Sequence, residues 1–378
     1  MSKMQFFKQF IALVVPFLSL CVNAQGSPST LVEVQKSEPV VKFDYRAKGK
    51  FYSNANGSTS EGVIIQWSAD YQKTLMQNLR LSFNGGVYFE SDRTQDFFVD
   101  SDSGNRLNLN HAMIEWTPNN NILLQAGALD QNSTFERDLL LGSGTFPAAL
   151  QTFDFNYKNL NYGLTLEQAI PTSRTYSTKA VESEPTPTLF FEELFLDYKI
   201  SKYSNFKLNL GYFAFYDLPS QVAEDSSVHG NLVGRLGPND SYFIYPFQGW
   251  SVTSSYNNRF MKEFGFSIKY EFVSNVKAPV NVAQANALSF NLDQYRAFSQ
   301  TTYEVLFFEQ EQHAAPSYYL DDLFGYSNRF GWGLGAKHKF NKSDFYIGFE
   351  WVESQIIEIT PEQADQRTIQ IYLGVDNA

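Results

Sequence analysis

From Val41 to Phe51 the chain reads VKFDYRAKGKF, and its charges fall on every second residue. Val41, Phe43, Tyr45, Ala47, Gly49 and Phe51 are uncharged, whereas Lys42, Asp44, Arg46, Lys48 and Lys50 are all charged. A period of two places these sets on opposite faces of a β-strand; on a helix the charges would spread round the cylinder. Charged residues make up 18% of the chain, so five in five alternate places would arise by chance about twice in 10,000 trials. Two kinds of sheet use such a strand. A sandwich turns one face to water and the other to a core. A membrane barrel turns the uncharged face to lipid and the charged face to a wet lumen.

The rest of the chain decides between them. EGVIIQWSADYQ (61–72), LRLSFNGGVYFE (79–90) and EFGFSIKYEF (263–272) repeat the alternation. Less regular segments fall near 105–117, 121–129, 151–158, 161–170, 188–200, 206–217, 249–257, 284–292, 300–310, 329–340, 344–358 and 367–376. The expected total is about sixteen strands. Their connectors alternate in length. QKTLMQN (72–78), TPNNN (117–121), YKNLN (157–161), SKYSN (201–205), NNRFMKE (257–263), DQYRAFSQ (293–300) and NKSD (341–344) are short. Between them lie 93–105, 130–150, 171–187, 218–248, 311–328 and 360–366. Short turns on one side and long loops on the other are the periplasmic and extracellular ends of an outer-membrane barrel. Closure also removes the edges that an open sheet of this size would expose. Aromatic residues are 16% of the chain, although mean hydropathy is −0.30. A barrel reconciles the two, because only every second residue meets lipid. Trp116, Tyr198, Phe206, Tyr256, Phe264, Phe340 and Phe345 flank the short turns and suit an interfacial girdle. The expected fold is therefore an all-β, transmembrane antiparallel β-barrel over residues 40–378. Lys42, Asp44, Arg46, Lys48 and Lys50 would face the pore, with Arg80, Lys269 and Glu271 on later strands. Turning Lys or Arg to lipid instead would cost about 2–4 kcal/mol each at mid-depth.

The start of the chain speaks to location. Lys3 and Lys8 precede the apolar run FIALVVPFLSL (10–20), and Val22-Asn23-Ala24 supplies small residues behind it. This is the pattern of a secretory signal peptide cleaved after Ala24; the run is short for a membrane anchor. Leu20 is too bulky before Cys21 for a lipoprotein site. Residues 25–39 form a polar lead. Cleavage would remove the single cysteine, Cys21, together with Lys3 and Lys8, and shift the net charge from −11 to −13. That acidity argues against nucleic acid as a partner.

Catalytic and metal-binding patterns are not found. Four histidines occur, His111, His229, His313 and His338. Only His229, in SVHGN, has Ser and Gly beside it, and it lies in a long loop. No His/Cys/Asp set has metal-ligand spacing and no glycine-rich phosphate loop precedes a helix. The expectation is a non-enzyme with no cofactor or metal. The alternatives are a secreted β-sandwich that binds carbohydrate and an outer-membrane barrel enzyme.

LNHAMIEWTPNNNILLQAGAL (109–129), FSIKYEFVSN (266–275) and LFGYSNRFGWGLGAKHKFNKSDFYIGFEW (323–351) are strand–turn–strand patterns. With their spacing, the chain from about residue 40 onward resembles the porins of Gram-negative outer membranes. The resemblance implies a sixteen-stranded barrel in the outer membrane, often trimeric, that passes small hydrophilic solutes and ions by diffusion. It also implies that the third outer loop, 130–150, folds inward as a constriction. Asp130, Glu136, Arg137 and Asp138 would lie on that loop, with the acids opposite Lys42, Arg46 and Lys48. Two features depart from the family. The chain ends in LGVDNA without a terminal aromatic, and no arginine follows Gly127-Ala128.

Overall fold

The computed structural model describes residues 39–375 except 55–58, 93–105, 132–137, 143, 172–183, 238–239, 321–323, 342 and 361–362. The expected signal peptide and most of the polar lead lie outside the described residues, as do Glu136 and Arg137.

Each long alternating segment forms a strand and pairs with the next. β1 (Val40–Asn54) pairs with β2 (Thr59–Met76), which turns at 77–78 into β3 (Leu79–Asp92). β4 (Arg106–Asn119) turns at 120–121 into β5 (Ile122–Asp130). β6 (Thr145–Tyr157) turns at 158–159 into β7 (Leu160–Ala169), and β8 (Thr188–Ser201) turns at 202–203 into β9 (Ser204–Tyr216). The connector 217–247 carries a helix, α1 (Ser220–Val228), and a separate hairpin of β10 (Val233–Gly237) and β11 (Asp240–Phe243). β12 (Gln248–Asn258) resumes the wall beside β9. β13 (Phe264–Asn275), β14 (Gln284–Tyr295), β15 (Ser299–Gln310), β16 (Arg329–Phe340), β17 (Phe345–Ile356) and β18 (Gln366–Val375) follow in order. β18 then pairs with β1, from Tyr45 opposite Val375 to Asn54 opposite Gln366. The result is one closed barrel of sixteen antiparallel strands, not the two stacked sheets of a sandwich. Closure leaves no strand of the wall with an unpaired edge, as a span through hydrocarbon requires.

The alternation sorts side chains as expected. Phe43 is 69% exposed and Trp67 62% exposed on the outer surface, while Glu271 is 5% exposed on the inner one. Inner rows run across strands: Lys48 of β1 lies between Ile64 of β2 and Tyr372 of β18. Outside, Tyr198, Phe206 and Tyr256 stand side by side near the turn end of β8, β9 and β12. An unbroken aromatic row at one level is what a membrane interface selects. β6 begins at Thr145, earlier than the sequence expectation of 151. α1 was not expected, because a nine-residue helix carries too few turns for a clear period.

Candidate functional site: loops folded into the barrel

The third loop, residues 131–144, leaves β5 at Asp130 and returns at Thr145. Near its root, Gly127 has φ +140°, and a Cβ there would meet the carbonyl oxygen of Ala112 at 2.2 Å. Only glycine allows β5 to bend against β4 in this way. The described part of the loop then enters the lumen. Leu139, Leu140 and Leu141 are 0–2% exposed, in a loop where solvent would be the default. Around the ring, β5 and β15 are eight strands apart out of sixteen, so they face each other across the barrel. The loop makes that crossing. Gln310 of β15 donates from Nε2 to the Leu139 carbonyl at 3.2 Å. The Leu139 amide donates to Glu271 Oε2 on β13 at 3.4 Å. Lys269 Nζ, also on β13, lies 2.5 Å from Glu271 Oε1 and 3.3 Å from Asp138 Oδ2. One ammonium thus holds two carboxylates, one from the wall and one from the loop.

Loops 5 (217–247) and 7 (311–328) also turn inward and interlock with loop 3. The Gly142 amide donates to the Tyr319 carbonyl at 2.7 Å. The Tyr319 ring lies edge-on to Phe146 at 5.4 Å and stacks on Phe215 at 6.0 Å. Phe324 packs on Phe308 of β15 at 5.1 Å. Loop 5 binds loop 7 through Asn231, whose Nδ2 donates to the Ala315 carbonyl at 3.1 Å and whose Oδ1 accepts from the Ser317 amide at 2.7 Å. The wall beneath is apolar too: Phe191, Phe213, Leu306 and Val352 point inward and are buried with the loop leucines. Two loop histidines are caught in this packing. His229 lies face to face with Tyr326 at 3.9 Å. Burial, helped by the charge of Arg329, holds the His229 pKa down to about 4. Burial alone holds His313 to about 4. Both imidazoles are neutral at pH 7, which suits a dry interface.

The other side of the lumen is different. On β1–β3, Lys42, Lys48, Gln66, Asp70 and Asn84 are half-buried and Arg46 is exposed, all on the inner face. Arg46 Nε donates to Tyr346 Oη at 3.2 Å, and Arg80 is 2.9 Å from Glu115. The lumen therefore has a polar sector on β1–β4 and an apolar, loop-filled sector on β6–β9 and β12–β17 near the loop end.

By register, Lys42, Asp44, Arg46, Lys48 and Lys50 share one face of β1, Arg80 follows the same alternation on β3, and Lys269 and Glu271 share one face of β13. The structure also brings Asp138 into the lumen. One expectation needs correction. The loop acid Asp138 meets Lys269, not Lys42, Arg46 or Lys48 on β1. The reason is direction: a loop rooted at β5 that crosses the barrel arrives at β13–β15, not at β1. Asp130 remains on the wall, opposite Thr145. Loops 5 and 7 were missed as parts of the site. Their signal was apolar content in connectors, in YFIYPF (242–247) and AAPSYYL (314–320).

No protein-family model matches the chain, and no curated protein matches it. Among solved structures it is similar to a loop-L8 deletion mutant of OmpT, an outer membrane protein of Vibrio cholerae. That similarity has 9% identity and a TM-score of 0.50, over 89% of this chain and 100% of the other. For Salmonella typhi OmpF in complex with daunomycin the values are 10% and 0.49, over 88% and 97%. For a mutant Rh. blastica porin they are 9% and 0.46, over 89% and 100%. At 9% identity, the likeness to the first of these is one of fold alone.

Proposed function

We propose that this chain is an outer-membrane channel through which small hydrophilic solutes and ions diffuse. A sixteen-stranded barrel is wide enough for an aqueous lumen. The observation that carries the reading is the split interior. Loops fill one sector with apolar side chains, while most of the described side chains on the inner face of β1–β4 are polar and partly exposed. The path runs along that face, past Lys42, Arg46 and Lys48. Asp138 on the crossing loop and Lys269 on the β13 wall, 3.3 Å apart, border it from the other side. Opposed charges across a narrow wet passage orient polar solutes and disfavour apolar ones. The test is single-channel conductance of purified protein in a planar bilayer, with the reversal potential in a salt gradient. Arg46→Glu with Lys48→Glu should move the reversal potential toward cation preference. An unchanged potential through an otherwise normal channel would reject this path.

A second reading rests on one contact. Ser82 Oγ and His111 Nε2 lie 2.7 Å apart on the inner wall, the spacing of a nucleophile and its base. Among the described residues His111 has no carboxylate partner to orient it, so we favour the non-enzymatic reading. Labelling of Ser82 by a fluorophosphonate probe would reverse that preference.

A further inference from the structure

A cavity of about 250 Å³ opens on the inner wall of β4–β7, at the root of loop 3. Its two sides have different characters. Met113, Leu123, Leu129 and Leu150 supply an apolar side, and Leu129 and Leu150 belong to the dry packing around the loops. His111, Gln125, Asp130, Thr152 and Thr165 supply a polar side. The cavity therefore lies where the wet sector meets the apolar filling.

The polar groups are biased in what they offer. Gln125 Nε2 donates to Glu115 Oε2 at 3.0 Å, which leaves Gln125 its amide oxygen as an acceptor and one N–H as a donor. Thr152 and Thr165 bond each other at 3.2 Å, so one of the two hydroxyl protons is taken while lone pairs remain on both oxygens. Asp130 also lines the cavity. One ring nitrogen of His111 is engaged by Ser82, which leaves the other. A set rich in acceptors binds a ligand rich in donors. No Lys or Arg is among the described lining residues to compensate an anion. The leucine side wants an apolar surface, and the volume lies just below the usual small-molecule range of about 300–1,000 Å³.

Resting on the channel reading, we propose that this cavity binds a small neutral polyol of monosaccharide size, with hydroxyls toward Gln125 and the two threonines and its C–H face on the leucines. It makes the channel solute-selective and not merely a sieve.

The experiment follows single-channel current while D-glucose is titrated, with sodium gluconate as the anionic comparison. Glucose should interrupt the current in a concentration-dependent manner, and gluconate should do so less. Gln125→Leu combined with Thr152→Val should raise the half-blocking concentration about tenfold, the effect of losing about 1.4 kcal/mol of polar contact. Lys199→Gln, at the short-turn end of β8 and away from the cavity along the strand, should leave the block unchanged. Heat-modifiable gel mobility confirms that each variant is folded. A conducting channel that glucose does not block overturns the site. So does equal block in the double variant, or stronger block by gluconate. If the folded protein carries no current at all, the channel reading fails separately. Calorimetric titration of the detergent-solubilised barrel with glucose then decides the site: heat lost in the double variant supports it, and no heat in the native chain overturns it.

Discussion

Lys269→Met removes the ammonium that ties loop 3 to the wall. The energetics of residues 138–142 show why this matters. Burying three leucines is worth about 1.5–3 kcal/mol each. Ordering five residues of backbone costs about 1–2 kcal/mol each. The two terms nearly cancel, so the polar contacts decide whether the loop stays in. The Leu139 amide bond to Glu271, at 3.4 Å, is long and contributes about 1 kcal/mol or less. The contact of Lys269 with Asp138, whose side chain is 33% exposed, is worth about 0–1 kcal/mol. Glu271 is the larger part: its side chain is 6% exposed, and stranding a buried carboxylate costs about 3–5 kcal/mol. The expected result is release of the loop while the barrel ladder stays closed. Amide exchange at Leu139–Gly142 should accelerate about a hundredfold or more. Single-channel conductance should rise and become noisier, with unchanged heat-modifiable mobility. Lys269→Met/Glu271→Met should recover much of the native behaviour, because a buried ion pair replaced by apolar groups is often neutral. Native exchange and conductance in Lys269→Met would refute the tether. A double variant as loose as the single one would refute the charge argument behind it.

Leu140→Ala, at a side chain with 0% exposure, should weaken loop docking by about 2–5 kcal/mol and raise conductance without lowering the barrel's thermal transition. Cysteines at 42 and 43 should differ in bilayer-embedded protein: a membrane-impermeant thiol reagent labels position 42, in the lumen, and not position 43. Equal labelling would reject the register of β1. Acid should loosen loops 5 and 7. His229 and His313 have pKa values of about 4 when packed and about 6.5 when released. The packed form thus binds fewer protons between these values, and its stability is full above about pH 6.5 and falls as pH drops toward 4. Each histidine accounts for about 3 kcal/mol over that window. Exchange of the 311–320 amides measured from pH 7 to pH 4 should show the loss, and His229→Gln should remove about half of it, His313 supplying the rest; a flat native profile would count against it.

Much of this protein is determined locally and is legible in the sequence. A period of two sets which side of a strand faces lipid, so Phe43 and Lys42 could be assigned to opposite surfaces before any pairing was known. Alternating connector lengths implied that one end of the barrel is trimmed and the other decorated, and strand number followed from counting. The interior was a different matter. Lys269 and Asp138 are 131 residues apart, and nothing in either neighbourhood names the other. Their meeting depends on the ring of sixteen strands closing, which places β13 and β15 across the lumen from β5. The inward fold of the third loop was suggested by resemblance; its landing point required the closed structure. The apolar loop filling was hidden for a related reason. An inward residue on an isolated strand reads as facing water, and Phe191, Phe213 or Leu306 alone could not reveal that loop side chains would cover it. Strand pattern is a property of neighbours in the chain, whereas what occupies a lumen depends on which distant loops reach it once the barrel has closed.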